Sequence, residues 1–267
     1  MKSGPTPEDQ DGAPLSEDQV INNLRQTDDT SAQYYAAWWL GKMRSQHPEA
    51  VPLLLNSLNA LQEDALDSER RGVGLNAIRA LGLLQEKSAI TTLIQLLASD
   101  DYSVREESAR SLGALQATEA VRPLRERLVG GIRTAGREQV NSARLQEPCE
   151  ALIEALGDIG RPDPATVEAI LPFTRHPRPL IQAAACRSLL KLTEEAHWAS
   201  ELEQLLLHPE PLVRRGALLD LGATGWTPAL ASIQATAVET SLKLVALRGL
   251  AEASGDPAVL DAMDDLL

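Results

Sequence analysis

The chain has 267 residues and a formal net charge of −13, from 38 acidic against 25 basic residues. Such a surface repels nucleic acid, and the scarcity of Val and Ile beside Leu and Ala points to helices. Two cysteines, Cys149 and Cys186, are too few for a disulfide framework and suggest a reducing compartment.

Residues 1–15 are polar and rich in Pro and Gly, predicting a disordered tail. They contain no apolar h-region, so no signal peptide is expected, and no apolar run approaches the length of a membrane span. A cytoplasmic protein with no membrane partner is the expectation.

From residue 16 onward a single repeat domain is expected, reaching 267. Ser16-x-x-Gln19, Thr30-x-x-Gln33 and Ser103-x-x-Glu106 read as capping boxes opening helices. An Ala/Ser-Leu-Gly motif closes one helix per unit, at Leu40-Gly41, Leu81-Gly82, Leu112-Gly113, Leu156-Gly157 and Leu221-Gly222. Weaker copies stand at Leu189-Leu190 and Leu250-Ala251. Successive spacings are 41, 31, 44, 33, 32 and 29 residues. A helix-pair period with two insertions, near 59–70 and 131–146, explains them, the second insertion being a candidate flap. The fold class is therefore all-α: a right-handed solenoid of about six to seven helix pairs. Pro177, Pro179, Pro209 and Pro211 fall between units, where a missing N–H costs little. The motif glycine serves either close helix packing or a helix C-cap.

Taking the Leu-Gly helices as the concave layer, helical spacing assigns groove positions. They are Tyr34, Tyr35, Trp38 and Lys42 in the first unit, then Leu75, Asn76, Arg79 and Leu83. The third unit gives Glu106, Glu107, Arg110 and Ala114; the fourth Glu150, Ala151, Glu154 and Asp158; the fifth Ala183, Ala184, Arg187 and Lys191. Aromatics are 3% of the chain, yet Tyr34, Tyr35, Trp38 and Trp39 fall within six positions. The expected surface is a basic strip with an aromatic wall at one end. It suits a flat, conjugated anion: arginine pairs with carboxylates, rings stack on the π-system, and Glu154 or Asp158 could serve ring N–H groups and move a proton. The same charges also suit a plain solvated helix face, and the rings a packed terminal cap. Arg105 and Arg214, each after Val, read as structural, as do Trp198 and Trp226.

The cysteines read as inert, Cys186 as a small core residue. His47, His176 and His208 precede Pro and His197 precedes Trp, giving no metal-ligand spacing and no metal site.

Three segments carry a resemblance: Tyr34-Tyr-Ala-Ala-Trp-Trp-Leu-Gly41, Glu147-Pro-Cys-Glu-Ala-Leu-Ile-Glu-Ala-Leu-Gly157, and Pro172-Phe-Thr-Arg-His-Pro followed by Ile181–Thr193. They resemble the E subunit of E/F-type phycobilin lyases, HEAT-like proteins of cyanobacteria. The resemblance implies a heterodimer with an F-type subunit. It also implies thioether attachment of a bilin substrate, phycocyanobilin or phycoerythrobilin, to a cysteine of a phycobiliprotein α subunit, with no tightly bound cofactor. Tyr34, Tyr35, Trp38 and Trp39 would then cradle the bilin, while Lys42, Asn76, Arg79, Arg110 and Arg187 would bind it or pair its propionates. Glu154 and Asp158 would be the catalytic carboxyls. An Asn-His-Cys motif found in bilin-isomerising members is absent, so the chain alone should not isomerise. A non-catalytic HEAT-repeat scaffold or chaperone for phycobilisome proteins is the alternative, and a HEAT-like DNA glycosylase a further one that the charge disfavours.

Overall fold

The computed structural model describes residues 14–62 and 67–267; most of the expected 1–15 tail, and 63–66 within the 59–70 insertion, lie outside them. The helices fall into two compact units, Met1–Glu86 and Lys87–Leu267, where the repeat period predicts one array over 16–267. The division falls at the turn after the second Leu-Gly helix, where Gln85 takes a left-handed φ of 58°.

Unit 1 holds α1 (Glu17–Arg25), α2 (Thr30–Lys42), α3 (Ala50–Ser57) and α4 (Ser68–Leu83). Helices α2 and α4 pack together, with α1 against α2 and α3 against α4. The Ser16/Gln19 capping box is present, both hydrogen bonds formed. The Thr30/Gln33 box is not. Asp29 caps α2 instead, accepting from Ala32 N at 3.0 Å. The Thr30 hydroxyl donates to Glu69, and Gln33 Nε2 donates to Gln26 O at 2.5 Å. Asp likewise displaces the expected Ser103 cap, with Asp101 Oδ1 accepting from Ser103 N at 2.8 Å. A carboxylate at the helix start is a stronger acceptor than a hydroxyl and suits the helix dipole.

Unit 2 holds α5 (Ile90–Leu96), α6 (Tyr102–Ala114), α7 (Val121–Arg127), α8 (Cys149–Ile159), α9 (Pro164–Ile170), α10 (Pro179–Thr193), α11 (Ala196–Leu205), α12 (Pro211–Gly222), α13 (Leu230–Ala235), α14 (Thr240–Ser254) and α15 (Pro257–Asp264). The Leu-Gly helices α6, α8, α10, α12 and α14 pack in succession, and the shorter helices form a second layer against them. Pro164, Pro179, Pro211 and Pro257 each occupy the first helical turn, where φ is already suited and no N–H is needed. The core runs between the layers through Leu190, Leu202, Leu218, Leu221, Ile233, Leu247 and Val259, and both Trp198 and Trp226 pack on it.

The motif glycine settles in favour of packing. A Cβ on Gly41 would lie 2.5 Å from Ala80 Cα, and one on Gly113 2.8 Å from Ala155 Cα. One on Gly157 would lie 2.8 Å from Ser188 Cα. Each glycine thus rests on the Ala or Ser of the next motif copy, and the three-residue signature encodes a helix-to-helix contact repeated along the layer.

Residues 131–146 are pinned rather than free to act as a flap. Glu138 and Leu145 form an antiparallel bridge. Buried His176 bonds Gly136 O through Nε2 at 3.0 Å, and Arg178 Nη2 donates to Ala143 O at 2.6 Å. The Arg105 and Arg144 guanidiniums lie 5.7 and 5.2 Å from the Tyr102 ring centre. Arg105 is structural: it donates to Ser99 O, Asp100 O and Gln146 O and pairs with Glu147. Arg214 does the same for His208 O and Pro209 O in its own repeat.

Candidate functional site

Helix α2 divides its residues cleanly. Ala36, Ala37, Leu40 and Gly41 are buried, while Tyr34, Tyr35 and Trp38 are 48%, 44% and 47% exposed. This is an open aromatic face, not a packed cap. The Tyr35 and Trp38 rings meet at 5.6 Å between centres, tilted by 40°. The Tyr34 ring lies over Gly72 of α4, whose absent side chain leaves room for it, since a Cβ there would come within 3.2 Å. Lys42 continues the exposed stripe and Trp39 is half-buried.

Asn76 is not on the surface. At 2% exposed, it donates from Nδ2 to Tyr34 O at 3.1 Å and accepts from Arg79 Nη1 at 3.2 Å. It fastens α4 to the backbone beneath the aromatic face and orients Arg79, which is itself exposed. Unit 1 therefore links Arg79, through Asn76, to the backbone of the helix that presents Tyr34, Tyr35 and Trp38.

In unit 2 the expected groove positions thin out. Ala151, Ala183 and Ala184 are fully buried, and Leu75 in unit 1 is largely so, because adjacent Leu-Gly helices pack closely enough to cover each other's flanks. What stays open is about one residue per turn. The charges there form a ladder of acids and bases rather than a basic strip. Arg110 Nη1 donates to Glu154 Oε2 at 2.9 Å, with Glu106 3.5 Å from Nη2. Arg187 Nη2 and Lys191 Nζ both donate to Asp158 Oδ1, at 2.6 and 2.7 Å. Arg187 Nε then lies 3.9 Å from Asp220 Oδ1 on α12.

The ladder separates its acids. Burial pushes the Glu154 carboxyl up, and Arg187 and Arg110 oppose it. Glu150 is raised by burial and by Glu154. Burial also acts on Asp158, but Arg187 and Lys191 overcome it and hold this carboxyl below its usual range. Asp158 is thus a fixed counter-ion rather than a proton donor. Asp220 departs furthest, pushed up to about 8 by burial and the nearby Glu154, against the pull of Arg187. Sequence reading missed it, though a signal was present. The residue before the motif Leu is small at Ala80, Ser111, Ala155, Ser188 and Gly249; Trp39 and Asp220 depart from that pattern, and of the two Asp220 alone brings a charge into the layer.

Neither cysteine offers a thiolate. Cys149 and Cys186 are buried, and burial pushes both thiols up to about 12, with Glu147 adding to Cys149 and Glu201 to Cys186. Among the described residues no cluster of His, Cys, Asp and Glu fits a metal ion, and no helix is long and apolar enough to cross a membrane.

Two family descriptions match the chain: HEAT repeats over residues 58–139, and the PBS lyase HEAT-like repeat over 32–60. The fold and these matches define an all-α HEAT-repeat protein. Its relatives are more specific. The bilin biosynthesis protein RpcE of Synechococcus sp. strain WH8020 is 61% identical over 254 residues, 95% of this chain and 96% of that one. The phycocyanobilin lyase subunit alpha of Picosynechococcus sp. strain PCC 7002 is 43% identical over 237 residues, 88% of this chain and 86% of that one. A solved complex of CpcE and CpcF of phycocyanin lyase from Nostoc sp. PCC7120 matches with a TM-score of 0.84 at 36% identity, covering 100% of this chain and 99% of that one. The chain belongs to the family of phycocyanobilin lyase alpha subunits, the E-type lyase subunits.

Proposed function

We propose that this chain is the E-type subunit of a bilin lyase, working with an F-type subunit to join an open-chain bilin by a thioether to a cysteine of a phycobiliprotein α subunit. The observation that carries this reading is the open face of Tyr34, Tyr35 and Trp38 in a chain whose own two cysteines are buried. Rings at the surface offer a stacking platform for a conjugated tetrapyrrole. An inert set of thiols fits an enzyme whose nucleophile comes from the acceptor, so the bond made here joins acceptor sulfur to bilin carbon without a covalent enzyme intermediate.

The remaining residues fall into roles. Arg79, steadied by Asn76, stands beside the rings to meet a propionate, and Lys42 and Trp39 flank it. Arg110 and Arg187 supply further cations, while Glu154 is the carboxyl of the original pair that holds a proton most readily. Asp158 keeps Arg187 and Lys191 in place. Rate enhancement then comes mainly from holding bilin and thiol in reacting geometry. The bilin, phycocyanobilin or phycoerythrobilin, is substrate rather than resident cofactor, and the setting is cytoplasmic.

Co-expression with an F-type subunit, each candidate α subunit and a bilin-synthesising pathway tests the reading. It predicts a covalently coloured α subunit that survives denaturation, lost when this chain is omitted. An uncoloured α subunit in every combination, with this chain still bound to phycobilisome proteins, would favour a scaffold instead.

A further inference from the structure

A basic stretch of unit 2 takes no part in the ladder. Between Val121 and Glu147 stand six arginines against three glutamates, in a chain of 38 acidic and 25 basic residues. The glutamates do not neutralise it. Arg122 takes Glu126 at 2.8 Å and Arg178 takes Glu138 at 2.6 Å, while Glu147 is shared by Arg105 and Arg127. Arg144 lies over the Tyr102 ring instead of an acid. Among the described residues Arg133 and Arg137, both exposed, have no ion pair, and Arg127 bonds through Nη2 alone.

A cleft of about 390 Å³ opens between the end of α7 and the pinned insertion. Arg127 and Arg137 line it, with the Thr134 hydroxyl and the Gln146 side-chain amide, neither of which is hydrogen-bonded among the described residues. Two guanidiniums, an amide and a hydroxyl make a donor-rich set that matches a carboxylate. The wall that carries them is fixed. Gln146 N donates to Arg137 O at 2.8 Å, and Glu147 N to Ala135 O at 3.0 Å. Val129, 68% exposed, gives the cleft an apolar edge.

We propose that this cleft is a docking site for a short acidic segment of the phycobiliprotein α subunit, with one carboxylate received between Arg127 and Arg137. The proposal rests on the reading above for the identity of the acceptor, but not for the bilin. Charge and size choose the occupant. A long polyanion would run from the cleft onto a surface of net charge −13, whereas a single acidic turn lies within one screening length, about 8 Å, of the arginines. Exposed charge pairs speed encounter and add little permanence, while stable subunit interfaces are large and apolar. A small, charged cleft therefore suits a substrate protein that leaves after modification, not the F-type subunit that stays.

The test uses the complex of this chain with its F-type partner and follows equilibrium binding of the apo α subunit by interferometry. Wild type should bind at about 50 mM salt and lose at least about tenfold in affinity at about 500 mM. Arg137→Glu reverses an exposed side chain that has no partner to lose, so the fold should be unaffected. Its affinity for the α subunit should fall about five- to tenfold at low salt and hardly at all at high salt. Arg137→Lys should keep most of the binding. Arg248→Glu, the same change of net charge at a 72% exposed side chain on α14, should stay within about twofold of wild type. A hexaglutamate peptide should compete with the α subunit on wild type and not on Arg137→Glu. Equal affinities of wild type and Arg137→Glu, or an equal loss in Arg248→Glu, overturn the inference. So does release of the F-type subunit from the Arg137→Glu complex on gel filtration, which would put the cleft in the permanent interface. If phycocyanobilin leaves the absorbance of the complex unchanged while α-subunit binding stays charge-dependent, the bilin reading falls and this inference stands.

Discussion

The two candidate surfaces are built on the same frame by opposite means. In unit 1, α2 turns Ala36, Ala37, Leu40 and Gly41 inward and leaves three rings at the surface, so these exposed side chains carry little of the packing. In unit 2 the polar side chains of α8, α10 and α12 sit partly inside the layer, and Arg187 and Asp158 support each other and the fold together. Removing a ring should therefore impair binding alone. Removing a charge should cost both binding and stability. A surface for stacking can stand apart from the core; a surface for fixed charges cannot, because the charges need a poorly hydrated setting to stay strong.

The sharpest way to break this contrast is Arg187→Ala. With the buried guanidinium gone and Asp158 left to Lys191 alone, stability should fall by about 3–5 kcal/mol, measured by chemical denaturation. A loss below about 1 kcal/mol would mean the ladder is surface decoration. Next, Val at Gly41 and at Gly157 should each destabilise by about 1–3 kcal/mol, since both meet a neighbouring helix backbone. A large effect in only one unit would show that the two do not share a packing frame. Trp38→Ala is expected to leave the melting curve within about 1 kcal/mol of wild type while weakening bilin binding ten- to a hundredfold.

A pH-dependent effect is the most discriminating within the ladder. The folded Asp220 keeps its proton up to about 8, whereas the unfolded one releases it near the usual value of about 3.9. Between those pH values folding takes up a proton, so this group's contribution to stability falls as pH rises through the window. Asp158 has the opposite sign: lowered in the fold, its contribution is present above the ordinary range and lost as acid titrates it. Asp220→Asn should therefore flatten the loss of stability from pH 5 to pH 9. Asp158→Asn should instead flatten the loss below pH 4. Identical slopes in both variants would contradict the assignment.

Much of this was legible from the chain because repeats convert position into geometry. The Leu-Gly copies located the helices that pack in succession within each unit, and i,i+4 spacing placed Tyr34 and Trp38 with Lys42 on the outer side of α2. Where the reading erred, a neighbour intervened. Asn76 and Ala151 share their helix's expected face, yet the adjoining helix covers them. Thr30 and Ser103 fit a capping pattern that Asp29 and Asp101 satisfy better. The arginines at 110 and 187 spelled a basic strip only when read down one column; their acids lie on neighbouring helices, 44 and 29 residues away. Asp220 was hidden for the same reason, since its importance comes from Arg187 across the interhelical gap.

The claim that the α2 rings hold the pigment is tested most directly by absorbance titration of phycocyanobilin against wild type and the Tyr35→Ala/Trp38→Ala double variant, each checked for an unchanged melting temperature. At least a tenfold rise in the variant's dissociation constant, with the bound-state spectrum altered, is the predicted result. Equal affinity and an identical spectrum in the two proteins would contradict it.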